Sequence, residues 1–193
     1  NADAGAAMRV DSVKAVQIWN PDALQLLNDR PDLRVLADSR SIPGEVIDMI
    51  AFGRDAVERP GGANFVYAVI ETYYEVSKAL ADPEQRDFVT VELGKKFSNL
   101  NLQSMRTCLK QTVFYDTPER GLSLMTGGTA FPTGDVETNG NLEAINRRVA
   151  DAVVRFRFIE GVPTISYGPK QEGSPDAQIR FDASYLQYVA AQR

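Results

Sequence analysis

The chain has 193 residues, 44% hydrophobic and 24% charged, with a formal net charge of −5. That length buries a sizeable core, and the acidic balance leaves no basic surplus to neutralise phosphates, so nucleic acid is not an expected partner. With no histidine and a single cysteine, the chain lacks the commonest general base, the commonest transition-metal ligand and any intramolecular disulfide.

Taken in order, residues 3–10 read as a short helix that Asp3 can cap and Asp11-Ser12 breaks. Val13 to Trp19 is enriched in valine, isoleucine and tryptophan and predicts a buried strand. Asn20 can cap the next helix, with Pro21 at its first position, and that helix ends near Asn28-Asp29. Arg34 to Ala37 predicts a second strand, Asp38 to Gly44 a loop, and Glu45 to Phe52 a third strand. A β-α-β-loop-β run of this size is too short to be a complete sheet and needs strands from elsewhere. Gly53 to Gly62 is rich in Gly, Pro and charge and reads as a connection.

Beyond it the chain is mostly helical. Val66, Val69, Ile70, Tyr73, Val76 and Leu80 lie on one helical stripe that stops before Asp82-Pro83. Asp82 then caps a helix to about Phe97. Shorter helices follow over Leu102–Lys110 and Pro118–Leu124, and a long amphipathic one over Leu142–Phe156. Gly161 to Ala177 reads as a loop, and Ala183 to Ala191 closes the chain. No apolar run reaches the roughly 18 residues that span a bilayer. The pairs Lys95-Lys96 and Arg147-Arg148 are flanked by acidic residues and read as solvated helix faces.

Two clusters carry candidate chemistry. The first is Trp19-Asn20, the only tryptophan followed by a neutral amide at a strand end. An indole gives a ligand a flat apolar wall and one N–H donor, and the amide gives donors and an acceptor. The alternative for Trp19 is a core aromatic. The second cluster is Asp38-Ser39-Arg40-Ser41. A guanidinium beside two hydroxyls suits two-pronged capture of a small oxyanion, with Asp38 either holding Arg40 in place or binding a substrate ammonium. The competing reading is a solvated turn whose side chains satisfy local backbone groups. Asp48 interrupts an apolar strand and either faces a cleft or braces the connection after it. Thr126-Gly127-Gly128-Thr129 has no strand before it and no lysine at P-loop spacing, so it reads as a plain loop. Cys108, beside Leu109 in a helical pattern, reads as a buried structural thiol. Glu71 with Glu75, and Glu143 with Arg147, read as exposed positions one helical turn apart.

The order Val13-Lys14-Ala15-Val16-Gln17-Ile18-Trp19-Asn20-Pro21, then Val35-Leu36-Ala37-Asp38-Ser39, then Ile42-Pro43-Gly44-Glu45-Val46-Ile47-Asp48 resembles the second half of periplasmic solute-binding proteins of nitrate, sulfonate and taurine type ABC transporters. Arg180-Phe181-Asp182-Ala183-Ser184-Tyr185-Leu186 is similar to that family's closing helix. The resemblance covers nearly the whole chain as an order of moderate signals, with no single diagnostic motif.

The resemblance implies an α/β fold, the C-terminal portion of a two-lobe (type II, Venus flytrap) binding protein in which short strands precede a mostly helical region. Residues 1–52 are then part of the second ligand-binding lobe, 53–62 the hinge, and 63–193 a helical region packing on the first lobe. The opening on Asn1 inside a helical pattern is read the same way, as a piece whose N-terminal lobe lies elsewhere. The implied work is capture of a small polar, anionic solute (sulfonate, nitrate or carboxylate-like) by Trp19, Asn20, Asp38, Ser39, Arg40 and Asp48, in the periplasm, for an ABC permease in the membrane. No enzymatic step, cofactor or metal is implied. Asn20 departs from the glutamate that many relatives carry there. The alternatives are an enzyme on the same two-lobe plan acting on a small heterocyclic metabolite, with Asp38, Asp48, Glu45 or a lysine as acid or base, and a ligand-sensing module of a regulator.

Overall fold

The computed structural model describes residues 4–8, 10, 12–97, 100–127 and 141–193. The expected roles of Asp3, Asp11, Gly128 and Thr129 lie outside these residues. The elements are α1 (Ala4–Ala7), α2 (Asp22–Asp29), a 3₁₀ turn at Ser39–Ser41, α3 (Arg54–Glu58), α4 (Gly62–Ala81), α5 (Arg86–Phe97), α6 (Leu102–Lys110), α7 (Pro118–Met125), α8 (Leu142–Arg155), β1 (Ile165–Tyr167), β2 (Ile179–Phe181) and α9 (Ser184–Ala191). Among the described residues the chain is thus helical with one small sheet, a coarse α/β mixture. It divides into two compact units, Asn1–Leu36 with Val76–Phe114, and Ala37–Glu75 with Tyr115–Arg193. These cuts do not coincide with the expected divisions at 52 and 62.

In the first unit, α5 lies against α6 and buries Thr90, Met105 and Cys108. A Cβ on Gly94 would stand 3.0 Å from Met105 Cγ, so the small residue is what permits the approach. Asp87 of α5 and Arg106 of α6 form an ion pair on the outside of the same contact. Asp82 does not begin α5; its carboxylate accepts from the Glu84 amide (2.9 Å) and the Gln85 side chain (2.7 Å), and α5 starts at Arg86. Asn101 caps α6, its Oδ1 accepting from the Ser104 amide at 2.9 Å. Asn101→Ala is expected to cost about 1 kcal/mol, the usual worth of an N-cap; a urea midpoint that does not move would contradict the capping role.

Among the described residues the second unit has two apolar clusters. Leu124, Leu142 and Ile145 are buried together, with Ile47, Tyr115, Met125 and Phe181 packed against them. Tyr74, Leu186 and Val189 form the other, flanked by Tyr67, Ile70, Tyr73, Leu122 and Met125. Met125 touches both, as an unbranched thioether fills irregular gaps well. Asn141 caps α8 through the Ala144 amide (3.1 Å), and Thr117 with Pro118 opens α7.

The three expected strands of the first quarter do not form. Val13–Trp19, Arg34–Ala37 and Glu45–Phe52 carry no ladder, and the strands among the described residues are β1 and β2. Strand composition marks a side-chain set that fits a pleated, half-buried surface; it does not provide the neighbouring strand. The sheet that does form pairs β1 and β2 in parallel, with Ile165 opposite Ile179 and Tyr167 opposite Phe181. The last two stack with centroids 5.5 Å apart at 15°. So β1 lies inside the stretch 161–177 expected to be loop. β2 occupies the start of Arg180–Leu186, where the resemblance expected helix, and the closing helix begins only at Ser184. The connection 53–62 contains α3.

Candidate functional site

The six expected ligand residues fall in both units: Trp19 and Asn20 in the first, Asp38, Ser39, Arg40 and Asp48 in the second. In the first unit Trp19 is 61% exposed. Its carbonyl accepts from the Ala23 amide at 2.8 Å, which ties the backbone to the start of α2. Asn20 does not cap that helix. Pro21 occupies the cap position without a side-chain bond, and Asn20 Nδ2 donates to Gln111 Oε1 at 2.8 Å.

In the second unit Asp38 organises a turn. Its Oδ1 accepts from the Arg40 amide at 3.0 Å, and its carbonyl accepts from Ser41 Oγ at 2.6 Å. The Arg40 guanidinium folds back on the same carboxylate, with Nε 3.0 Å from both oxygens and one terminal nitrogen bonded to Oδ2. The contacts are those of the locally satisfied turn. The turn is self-satisfied, and Asp38 also fixes the direction of Arg40. Part of the guanidinium remains for another partner, since its fork carries five N–H donors and the side chain is 87% exposed.

The Arg40 side chain holds the Asp38 carboxyl below its usual range, and Asp38 raises Arg40 in turn. A carboxylate lowered in the folded state contributes stability above its unfolded value and loses it as pH falls through the folded one. The turn is accordingly expected to keep its geometry from neutral pH down to about 4 and to loosen below that. Backbone amide shifts of Asp38 to Ser41 that move between pH 7 and 5 would contradict this.

A bend at Ile42-Pro43-Gly44 follows the turn. The Glu45 amide donates to the Ile42 carbonyl at 3.1 Å, and Gly44 has φ +74°, a conformation that only glycine adopts cheaply. One residue that sequence reasoning assigned elsewhere joins the neighbourhood. Arg148, expected on a solvated face of α8, donates to Glu45 Oε1 at 2.7 Å and anchors the segment after the bend to α8. No local signal links positions 103 apart. Asp48 is exposed and makes no hydrogen bond to a described residue, so bracing of the connection finds no support in its contacts.

Cys108 is buried, and desolvation pushes its thiol pKa up, the opposite of an activated nucleophile. Among the described residues no group of His, Cys, Asp and Glu is placed to hold a metal ion, and no helix is long and apolar enough to cross a membrane. Comparisons with family models, with curated proteins and with solved structures found no match.

Proposed function

We propose that this chain is the C-terminal portion of a periplasmic solute-binding protein of the nitrate, sulfonate and taurine type, holding a small anionic solute for an ABC permease. The observation that carries the reading is the state of the three strand-like segments. They stand without a ladder and leave apolar side chains in solvent: Trp19, Val35, Leu36 at 89% exposure, Met49 and Ile50. Exposed apolar side chains on segments of strand composition are what a sheet leaves when its other strands come from elsewhere in a larger fold. Phe156 and Phe158 are likewise exposed just after α8, in the region that the resemblance packs against the first lobe.

The chemistry assigned to the site is recognition without bond breaking. Arg40, aimed by Asp38, offers its free N–H groups to a sulfonate, nitrate or carboxylate, and Ser39 and Ser41 flank it with hydroxyls. Specificity then comes from planar two-pronged geometry, which an ammonium would not supply. Native mass spectrometry of the purified chain tests the reading. A small residual mass that excess methanesulfonate or taurine displaces supports it. A bare chain of 21.3 kDa that takes up neither compound, nor nitrate or acetate, at millimolar concentration overturns it.

A further inference from the structure

Arg54, Glu58, Lys170 and Asp176 form one charge network within the second unit. Arg54 Nη1 donates to Asp176 Oδ2 at 2.7 Å, and its Nη2 donates to the Ala177 carbonyl at 3.0 Å. Lys170 Nζ lies 3.1 Å from Asp176 Oδ1 and 3.4 Å from Glu58 Oε1. Lys170 and Asp176 each serve two partners. The network thereby joins α3 to the loop 168–178, across a sequence separation of 112 to 123 residues.

No fully buried side chain competes with it. Helix α3 buries no side chain, the loop has none buried, and neither segment belongs to the two apolar clusters. The loop is therefore held to α3 by charge. On its other side α3 is joined covalently to α4 through a tight turn, with Gly61 at φ +77° and the Gly62 amide donating to the Arg59 carbonyl at 2.8 Å. The chain enters α3 from Phe52, whose ring meets Phe65 edge-on with centroids 5.8 Å apart, so the short helix is tied through its backbone at both ends and braced by the charge network on its side.

We infer that this network is an ionic latch on the segment 53–62, closed at low ionic strength and released by salt. A single exposed ion pair contributes little, because holding two long side chains costs entropy. Here the cost of fixing Lys170 and Asp176 is shared between partners, which is where surface charges gain. Screening acts on all the contacts at once, since the Debye length falls from ~30 Å at 0.01 M salt to ~3 Å at 1 M. Should 53–62 be the hinge of the proposed binding protein, the latch sets how easily that hinge bends. That link rests on the proposed function, whereas the latch itself does not.

Hydrogen exchange of the full chain tests it, read on peptides covering 53–62 and 168–178. At about 1 M salt both are expected to exchange roughly three- to tenfold faster than at about 0.01 M, while a peptide from α9 keeps its rate. Asp176→Asn should show the fast rate already at low salt, whereas Arg54→Lys, which keeps a cation beside Asp176, should retain part of the protection. Exchange that ignores both salt and Asp176→Asn overturns the latch. If Asp176→Asn disturbs α9 as well, the salt dependence of the unaltered chain decides alone. No solute enters this measurement, so it can fail while solute binding stands, and the reverse.

Discussion

Tyr74→Ala is expected to destabilise the second unit by about 3–5 kcal/mol, the range for truncating a buried aromatic. Tyr74 is 4% exposed and shares a cluster with Leu186 and Val189, so its removal opens a cavity between α4 and α9. The ring also carries the Arg193 guanidinium at 5.5 Å from its centroid, and Arg193 donates to Glu75 Oε1 at 2.7 Å. One truncation therefore removes both the packing and the platform on which Arg193 rests. The space is tight on the α7 side too, where a Cβ on Gly121 would stand 2.8 Å from the Tyr74 hydroxyl oxygen and 3.0 Å from Leu186 Cδ2. Urea denaturation followed by α-helical circular dichroism checks the effect, and a loss under about 1 kcal/mol would place Tyr74 outside the core. Burial also pushes its phenol from 10.0 up to about 12. Because the folded value is raised, the contribution is complete below pH 10 and lost as pH rises towards 12. Tyr74→Phe should abolish that part of the alkaline destabilisation.

Arg40→Ala is expected to weaken binding of a small sulfonate or carboxylate by about tenfold to a hundredfold, because hydrogen bonds to a charged partner contribute about 1.5–3 kcal/mol. The fold should be indifferent, since Arg40 is exposed and bonds only within its own turn. Arg40→Lys keeps the charge and loses the planar fork, so it should recover part of the affinity and little of the preference for planar or tripodal oxyanions. Calorimetric titration of the three proteins with methanesulfonate checks the order. Equal affinity for all three would remove Arg40 from the site.

Helices were legible in this sequence to the extent that their signals are local. The boundaries of α6 agree with the spacing of Leu102, Met105 and Leu109, and its cap, Asn101, lies immediately before it. The long α4 stops at Ala81, before Asp82-Pro83, because the residue preceding a proline is pushed out of the helical region. Strands were not legible. The most strand-like segments, around Ile18, Leu36 and Ile47, have no neighbour to pair with. Ile165–Tyr167 pairs although it lies among Gly, Pro and Ser residues, because Ile179–Phe181 runs beside it and Phe181 gives Tyr167 a stacking face. The same contrast runs through the candidate site. The Asp38–Arg40 turn is a two-residue interaction and could be read from its composition. The Glu45–Arg148 anchor and the Lys170–Asp176–Arg54 network join distant segments, and no spacing rule reaches that far.

The central claim is that the turn Asp38 to Ser41 receives a small anion, and the nuclear magnetic resonance signal of the Arg40 Nη–Hη donors that Asp38 leaves free reads it directly. Titration of the full chain with methanesulfonate should move that resonance along a saturating curve, together with the amides of Ser39, Arg40 and Ser41, with no comparable movement on addition of chloride at the same ionic strength. An Arg40 resonance that stays in place, or follows chloride equally, would contradict the assignment.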